Sequence, residues 1–234
     1  METPEQIIES AGEMGLALTT EAARRMVSHL QLMEAANECF NLTSIPRADW
    51  LWAHLLDSLS CAPELEGCAP GPFADLGAGG GFPGIPLALA SGREVTLVES
   101  VKKKALFLLE VLEMLEMSAT VEAVRAEELA LRSPGAFTAV TARALSRLPS
   151  LVELAAPLLA PGGRLICLKG APGADELSSG VRAAAICGLE LIESRRVAVP
   201  MTDASRTILT YQKARRPKVK LPRRLGMAQR QPMG

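Results

Sequence analysis

Residues 74–84 read ADLGAGGGFPG, and this stretch decides the fold. It begins as a short apolar run that suits a strand and continues as a glycine-rich turn up to Pro83. Proline is tolerated in the first turn of a helix, so Pro83 favours a helix start. Glycine lets the backbone turn tightly and lets a ligand lie against it without a Cβ clash. A strand, a glycine turn and a helix in this order indicate a site for a nucleoside-containing ligand.

The chain on either side of this turn divides into a helical part and an alternating part. Thr20 is the predicted cap of one N-terminal helix, and a glycine- and proline-rich linker follows at 67–72. Beyond the turn, short β-rich runs alternate with helical segments, which predicts an α/β fold with a mostly parallel sheet. The predicted domains are an N-terminal helical segment (1–66), an α/β domain (67–213) and a basic C-terminal tail (214–234).

The individual elements follow from the same patterns. The predicted helices lie at 50–59, 102–117, 148–159 and 175–187. The predicted strands lie at 95–99, 121–124, 137–142 and 164–170, with a closing antiparallel pair at 192–199 and 207–212.

Composition excludes several classes of protein. The five cysteines are an odd number without C-x-x-C spacing, which argues against a disulfide framework or a metal site and favours a cytoplasmic protein. The N-terminus is polar and acidic, unlike a secretory signal, and no run of about 18 apolar residues predicts a membrane span. Aromatic residues make up 3% of the chain, which argues against recognition of nucleic acid by many stacked bases.

The net charge of −1 conceals a strong asymmetry. Eight of the 25 lysines and arginines lie in residues 213–234, which contain no acidic residue. Such segregation of charge is typical of an arm that binds nucleic acid, although a solvated, disordered tail has the same composition. The candidate RNA-binding residues of this tail are Arg215, Arg216, Lys218, Lys220, Arg223 and Arg224.

The glycine turn alone does not identify its ligand. Gly79, Gly81 and Gly84 satisfy G-x-G-x-x-G, which is compatible with an NAD(P)-dependent oxidoreductase or with a purely structural turn. Glu99 lies 20 residues after Gly79, where a carboxylate that accepts ribose hydroxyls is expected. Asp75 would repel a pyrophosphate but suits the ammonium group of S-adenosylmethionine. Residues 125–128, RAEE, offer an amide and an acid for the edge of an adenine.

Taken together, six motifs resemble the glucose-inhibited division protein B family, also called ribosomal RNA small subunit methyltransferase G. The similarity covers nearly the whole chain, and the basic tail is similar to the ending of many members. The motifs are NLTSI (41–45), HLLDSL (54–59), DLGAGGGFPGIPLA (75–88), RAEEL (125–129), TARAL (141–145) and LKG (168–170).

The resemblance implies a class I methyltransferase fold, Rossmann-like and seven-stranded, that uses S-adenosylmethionine. It implies methylation of N7 of a guanine in 16S ribosomal RNA near the decoding centre, with the 30S subunit as partner. The protein itself is predicted to be a monomer. Ala142 and Leu145, on either side of Arg143, differ from residues that are frequent in the family. The cofactor-binding residues implied are Gly77, Phe82, Glu99, Ala126, Glu127 and Arg143.

Guanine N7 carries a lone pair and no proton, so its methylation requires no general base. Catalysis then depends on positioning and on exclusion of water, and no catalytic acid or base is assigned. Lys169 and Arg143 are assigned to RNA phosphate or cofactor contacts. Lys169 also fits a surface lysine at a strand end, and Arg143 also fits an ion pair with Glu127. An RNA-binding assembly factor without activity remains the non-enzymatic alternative.

Three further residues have ordinary structural explanations. His54 and Asp57 are about one helical turn apart and suit either a hydrogen-bonded core pair or an anchor for the N-terminal helices. Asn41 suits the cap of a turn. The tail is expected to bind RNA separately from the cofactor, so that its deletion would leave cofactor binding intact.

Overall fold

The computed structural model describes residues 2–199 and 205–234. Its N-terminal helices begin where side chains can cap them. Helix α1 (Pro4–Glu13) starts after Thr3, whose hydroxyl accepts a hydrogen bond from the Gln6 amide while the Gln6 side chain accepts one from the Thr3 amide. Helix α2 (Thr20–Cys39) is capped by Thr19, one residue before the predicted cap, Thr20.

The second predicted helix of this segment has an unusual geometry. Residues Leu51–Leu56 form a π-helical turn that continues into the short helix α3 (Asp57–Leu59), and α4 (Ala62–Glu66) follows. Helices of this type are rare and are often found at functional sites. His54 lies in this turn and Asp57 follows it, and the side chains of both contact Arg143.

The sheet has seven strands in the order β3-β2-β1-β4-β5-β7-β6. Strands β1 to β5 are parallel, and β7 pairs antiparallel with both β5 and β6. The α/β class, the mostly parallel sheet and the closing antiparallel pair are therefore confirmed. The strands are β1 (Phe73–Leu76), β2 (Val95–Val98), β3 (Thr120–Glu122), β4 (Phe137–Arg143), β5 (Leu159–Lys169), β6 (Leu189–Ala198) and β7 (Ser205–Lys213).

Helices cover both faces of this sheet, and each face has its own core. Successive strand side chains point to opposite faces, so Phe73 lies in one core and Ala74 in the other. The N-terminal helices share the first core, whereas Ala228 of the C-terminal tail is buried in the second. The remaining helices are α5 (Gly84–Ser91), α6 (Lys102–Met114), α7 (Ala126–Arg132), α8 (Leu148–Ala155), α9 (Ala174–Cys187) and α10 (Met227–Arg230).

Most boundaries shift by up to three residues from the sequence-based expectation, and the largest differences are at the end of α8 and the start of β5. Helix α8 ends at Ala155 instead of 159, and β5 begins at Leu159 and includes Gly162 and Gly163. The register between β4 and β5 shifts at this point, which accommodates the two glycines inside the strand. In the residues that the structure describes, no helix has the length and apolar character needed to cross a membrane.

Candidate functional site

The glycine turn after β1 has a backbone that only glycine adopts readily. Gly77, Gly79 and Gly81 have φ angles of +71°, +57° and +95°. A Cβ atom on Gly77 would lie 2.7 Å from Cδ1 of Leu145. The turn therefore leaves bare backbone at the carboxyl end of β1, as predicted for a surface against which a ligand packs.

Glu99, the residue after β2, is bonded to this turn. Its Oε2 accepts a hydrogen bond from the Gly79 amide at 3.0 Å, and its Oε1 accepts one from the Val101 amide at 2.8 Å. Each carboxylate oxygen can accept more than one hydrogen bond. The Glu99 carboxylate can thus hold the turn in shape and also receive donors from a ligand.

The turn and Glu99 lie at the floor of a cleft of about 300 Å³, here called the glycine cleft. It lies at the carboxyl ends of the parallel strands, the expected place for a ligand in an open α/β sheet. Four of the six predicted cofactor residues are in its wall. The lining residues are Leu76, Gly77, Gly79, Val98, Glu99, Ser100, Val101, Lys104, Val124, Arg125, Ala126, Glu127, Ala144, Leu145, Leu154 and Gln229.

Glu127 receives a contact that the sequence did not predict. Its Oε1 accepts a hydrogen bond from the backbone amide of Gly226, in the C-terminal tail, at 2.8 Å. Gln229, from helix α10, is also in the wall of the glycine cleft. The sequence analysis expected a tail that is separate from the predicted cofactor residues, but the structure brings Gly226 and Gln229 of the tail to the glycine cleft.

Phe82 and Arg143, the other two predicted cofactor residues, are not in the wall of the glycine cleft. The Phe82 ring stacks between the rings of His29 and His54, with centroid distances of 4.5 and 4.8 Å. The Arg143 guanidinium lies 5.5 Å from the centroid of the Phe82 ring. Both residues thus join the N-terminal helices to the sheet in this structure.

The ion pair of Arg143 is with Asp57 and not with Glu127. Nη1 of Arg143 donates to Oδ2 of Asp57 at 2.8 Å, and Nε of Arg206 donates to Oδ1 at 2.6 Å. Nη2 of Arg143 lies 3.1 Å from Nδ1 of His54, which must accept because a guanidinium only donates. His54 and Asp57 are therefore joined through Arg143 and anchor the N-terminal segment.

A second cleft, of about 580 Å³, lies beside the first, and we call it the basic cleft. Ala144 is in the wall of both clefts and has a φ angle of +53°, which is rare for a residue other than glycine. Lys169 also lies here, where Nζ pairs with Oε1 of Glu176 at 2.8 Å. The lining residues are Leu42, Thr43, Ser44, Ile45, Ala53, His54, Asp57, Arg143, Ala144, Leu168, Lys169, Gly170 and Arg206.

The basic residues of the tail fall into two groups. Arg223 makes a two-point ion pair with Glu153, which is 2% exposed, and Arg215 pairs with Glu190 at the surface. The other four candidates are exposed and have no side-chain hydrogen bond or ion pair within residues 2–199 and 205–234. They are Arg216, Lys218, Lys220 and Arg224.

Asp75 is not placed to meet a ligand. Its Oδ2 accepts a hydrogen bond from the Gly84 amide, and its Oδ1 accepts one from the Thr141 hydroxyl, both at 2.9 Å. The residue has no exposed surface, and burial raises the pKa of its carboxyl to about 7. A carboxylate without exposed surface and with both oxygens bonded does not support the predicted contact with the ammonium group of a cofactor, and Asp75 fixes the start of α5 instead.

His29 connects the N-terminal helices to the glycine turn, a role that the sequence analysis missed. Its Nε2 donates to the Gly80 carbonyl at 2.7 Å, and Nδ1 is buried without a partner among the described residues. Burial lowers the pKa of His29 to about 4. Burial and the neighbouring Arg143 lower the pKa of His54 to about 3, so both rings are neutral at physiological pH.

This burial predicts a pH dependence of stability. Between pH 4 and 6.5 the unfolded chain protonates His29 and the folded chain does not, so this residue makes stability fall as the pH falls. Asp75 has the opposite effect, because its folded pKa is raised. We expect His29→Gln to reduce the slope of the unfolding free energy against pH by about 1.4 kcal/mol per pH unit in this window. Urea unfolding at several pH values measures it, and parallel curves for the two proteins would contradict it.

Comparison with known proteins agrees with this geometry. A sequence profile described as rRNA small subunit methyltransferase G matches residues 22–202. The protein of that name from Sorangium cellulosum is 41% identical over 180 residues, which are 75% of this chain and 75% of the relative. The one from Chloroflexus aggregans is 34% identical over 236 residues, or 99% of this chain and 98% of the relative.

Solved structures are similar in fold at low sequence identity. A putative sarcosine dimethylglycine methyltransferase from Galdieria sulphuraria has a TM-score of 0.56 and 12% identity, with 75% of this chain and 91% of that chain covered. An S-adenosylmethionine-dependent O-methyltransferase from Thermotoga maritima has a TM-score of 0.52 and 16% identity, covering 70% and 66%. The fold is that of class I methyltransferases, and by its sequence the chain belongs to the rRNA small subunit methyltransferase G family.

Proposed function

We propose that this protein methylates N7 of a guanine in 16S ribosomal RNA, with S-adenosylmethionine as the methyl donor. The observation that carries the proposal is the pair of neighbouring clefts. In the glycine cleft Glu99 is bonded to the glycine turn, and the basic cleft lies beside it, with Ala144 in the wall of both. Family membership supports the same reaction. The cytoplasm is the proposed location, and the protein acts as a monomer on the 30S subunit.

The residues of the glycine cleft fit the proposed cofactor. Glu99 offers carboxylate oxygens to ribose hydroxyls, and Gly77 offers bare backbone where a Cβ would collide. Helix α7 begins at Ala126, and among the described residues the amides of Ala126 and Glu127 have no partner within the helix, so they can donate to an adenine nitrogen. The Glu127 carboxylate beside them can accept from the adenine amino group. Phe82 and Arg143 support the turn from the side of the N-terminal helices.

The basic cleft suits the nucleotide that receives the methyl group. When bound, S-adenosylmethionine would supply a methyl group that is attached to a positively charged sulfur. The lone pair of guanine N7 would form the new bond to the methyl carbon, and the electrons of the C–S bond would stay on sulfur, so the positive charge would pass to the guanine. The chain positions the base and excludes water, without a general base. Arg143 and Arg206 share the buried Asp57 carboxylate, which reduces the positive charge near the guanine.

RNA phosphates are held by cations at two places in this proposal. Lys169 lies in the basic cleft, where Glu176 orients its ammonium group. Outside it, the tail supplies the exposed cations Arg216, Lys218, Lys220 and Arg224, whereas the charges of Arg215 and Arg223 are matched by ion pairs with Glu190 and Glu153. Cations near phosphates release counterions on binding, so affinity depends on salt.

Replacing the four exposed tail cations, Arg216, Lys218, Lys220 and Arg224, with alanine is expected to weaken RNA binding and to flatten its salt dependence. The slope of log K against log salt should decrease in magnitude by up to about 3, since each phosphate contact contributes about 0.7 to 0.9. Filter binding of a 16S fragment at several salt concentrations measures the slope. A double variant, Arg24→Ala with Arg182→Ala, removes exposed charge elsewhere and should leave it unchanged. An unaltered slope in the fourfold variant would show that these residues do not contact RNA.

The function is tested by methyl transfer from labelled S-adenosylmethionine to 30S subunits, and to free 16S RNA, from a strain without this protein. Mass spectrometry should find one new 7-methylguanosine. Label on an atom other than guanine N7 overturns the proposal. The absence of any label also overturns it, and favours an assembly factor without activity. An increase in melting temperature with NAD but not with S-adenosylhomocysteine would favour an oxidoreductase.

A further inference from the structure

Residues 221–230, here called the C-terminal segment, contribute one residue to the wall of the glycine cleft and bond to another. The Gly226 amide donates to Oε1 of Glu127 at 2.8 Å, and Gly226 is buried. Three residues further on, Gln229 is itself in the lining of the cleft. The segment therefore reaches the proposed cofactor site through an amide that is bonded to a carboxylate of that site.

The C-terminal segment is held against the rest of the protein by buried contacts, and not as a flexible arm. Two guanidinium nitrogens of Arg223, Nε and Nη2, bond to the Glu153 carboxylate, with Nε 2.6 Å from Oε1, and Nη2 also donates to the Gln231 carbonyl at 2.7 Å. Glu153 is 2% exposed, and so is Ala228 of helix α10. A charge pair of this kind is strongly destabilising to break from one side, because the remaining charge stays buried.

The position of Arg223 separates it from the cations proposed for RNA. Its charge is matched by Glu153, so it adds little to the positive field of the tail. Its neighbour Arg224 is exposed and has no side-chain partner in the part of the chain that the structure describes. The two adjacent arginines thus face different partners, one the protein interior and the other the solvent.

We propose that the C-terminal segment is a positioning element of the cofactor site. The Gly226 amide holds one oxygen of Glu127, which orients the carboxylate and leaves Oε2 to accept from the amino group of the adenine. Gln229 adds a wall residue to the same cleft. This inference rests on the proposed function, since it takes a nucleoside cofactor in the glycine cleft as given.

This arrangement predicts that the cleft prefers adenine to hypoxanthine, and that the preference depends on the C-terminal segment being in place. A carboxylate accepts from the 6-amino group of adenine but faces a carbonyl oxygen in hypoxanthine, where both groups are acceptors. The folded protein should therefore prefer S-adenosylhomocysteine to S-inosylhomocysteine. Once the segment is undocked, the Glu127 side chain is free to rotate, and the preference should shrink together with the affinity.

The experiment compares the neighbouring variants Arg223→Ala and Arg224→Ala by calorimetry with both ligands. Arg223→Ala is expected to weaken S-adenosylhomocysteine binding by about tenfold or more, as when a hydrogen bond to a charged group is lost, and to reduce the preference over the inosyl ligand. Arg224→Ala removes the same charge from the next residue and should change neither value. If Arg223→Ala binds within twofold of the wild type with the same preference, the proposal is overturned.

Two further measurements keep the test decisive if Arg223→Ala does not fold. Gln229→Ala alters an exposed side chain and should bind S-adenosylhomocysteine severalfold more weakly, whereas unchanged affinity would overturn the role of Gln229. Hydrogen exchange of the Gly226 amide in the wild type should slow when S-adenosylhomocysteine is added, because ligand and segment stabilise each other. Exchange that is unaffected by a bound ligand would overturn the coupling. A wild type that binds no S-adenosylhomocysteine at all would instead contradict the proposed function.

Discussion

Replacing Gly77 with aspartate is expected to abolish binding of S-adenosylmethionine, with affinity reduced by at least about 100-fold. Gly77 has a φ of +71°, a conformation that costs a residue with a side chain about 1–2 kcal/mol. Its Cβ would lie 2.7 Å from Leu145, so either the turn or Leu145 must move into the cleft. The new carboxylate would also lie in the same cleft as the carboxylate of Glu99.

The control for this variant is Gly92→Asp. Gly92 has nearly the same backbone, with a φ of +67° after helix α5, but a Cβ there would meet no atom within 4 Å. Both variants carry the same conformational strain and charge, whereas only Gly77 is in the wall of the glycine cleft. Calorimetry should find wild-type affinity for Gly92→Asp and none for Gly77→Asp. Equal affinities of the two variants would remove Gly77 from the cofactor site.

The features that sequence analysis predicted correctly are those encoded by neighbouring residues. The runs at β1, β2 and β5 are apolar and β-rich, and glycines mark the turn after β1. Glu99 could be placed beside that turn because parallel strands end at the same edge of a sheet, and the structure puts Glu99 within hydrogen-bond distance of Gly79. Local pattern and sheet geometry were sufficient for this part of the site.

The features that were missed depend on pairs of residues far apart in the chain. Asp57 contacts Arg143 across 86 positions and Arg206 across 149. Gly226 contacts Glu127 across 99 positions. A carboxylate in a sequence does not indicate which of 25 lysines and arginines will meet it. Composition therefore predicted that the whole tail binds nucleic acid. Only the folded structure shows that Arg223 is paired with Glu153, whereas neighbouring cations of the tail are exposed.

Asp75 illustrates a different limit of sequence analysis. Its position before the glycine turn suggested contact with the cofactor, and strand periodicity alone does not say which neighbours its carboxylate will find. In the structure the Gly84 amide and the Thr141 hydroxyl take both oxygens. The same carboxylate thus supports the start of the helix that follows the turn, and its effect on the cofactor is through the shape of the turn.

Replacing Asp57 with alanine is expected to destabilise the protein by about 3–5 kcal/mol, the typical cost of removing one partner from a buried ion pair. Asp57 is 2% exposed, and its two oxygens bind Arg143 and Arg206 at 2.8 and 2.6 Å. Its loss leaves two guanidinium groups largely buried without a counter-charge, at the junction of the N-terminal helices and the sheet. Urea unfolding at neutral pH measures the change.

The comparison variant is Glu190→Ala, which also removes one carboxylate from an arginine. Glu190 and Arg215 are about half exposed, and pairs of that kind contribute about 0–1 kcal/mol. The two substitutions remove the same charge, so the difference between their unfolding free energies measures the effect of burial. Because Asp57 is in the wall of the basic cleft, Asp57→Ala protein that remains folded should show a raised KM for RNA. Equal stabilities of the two variants would show that Asp57 is not the anchor of the N-terminal segment.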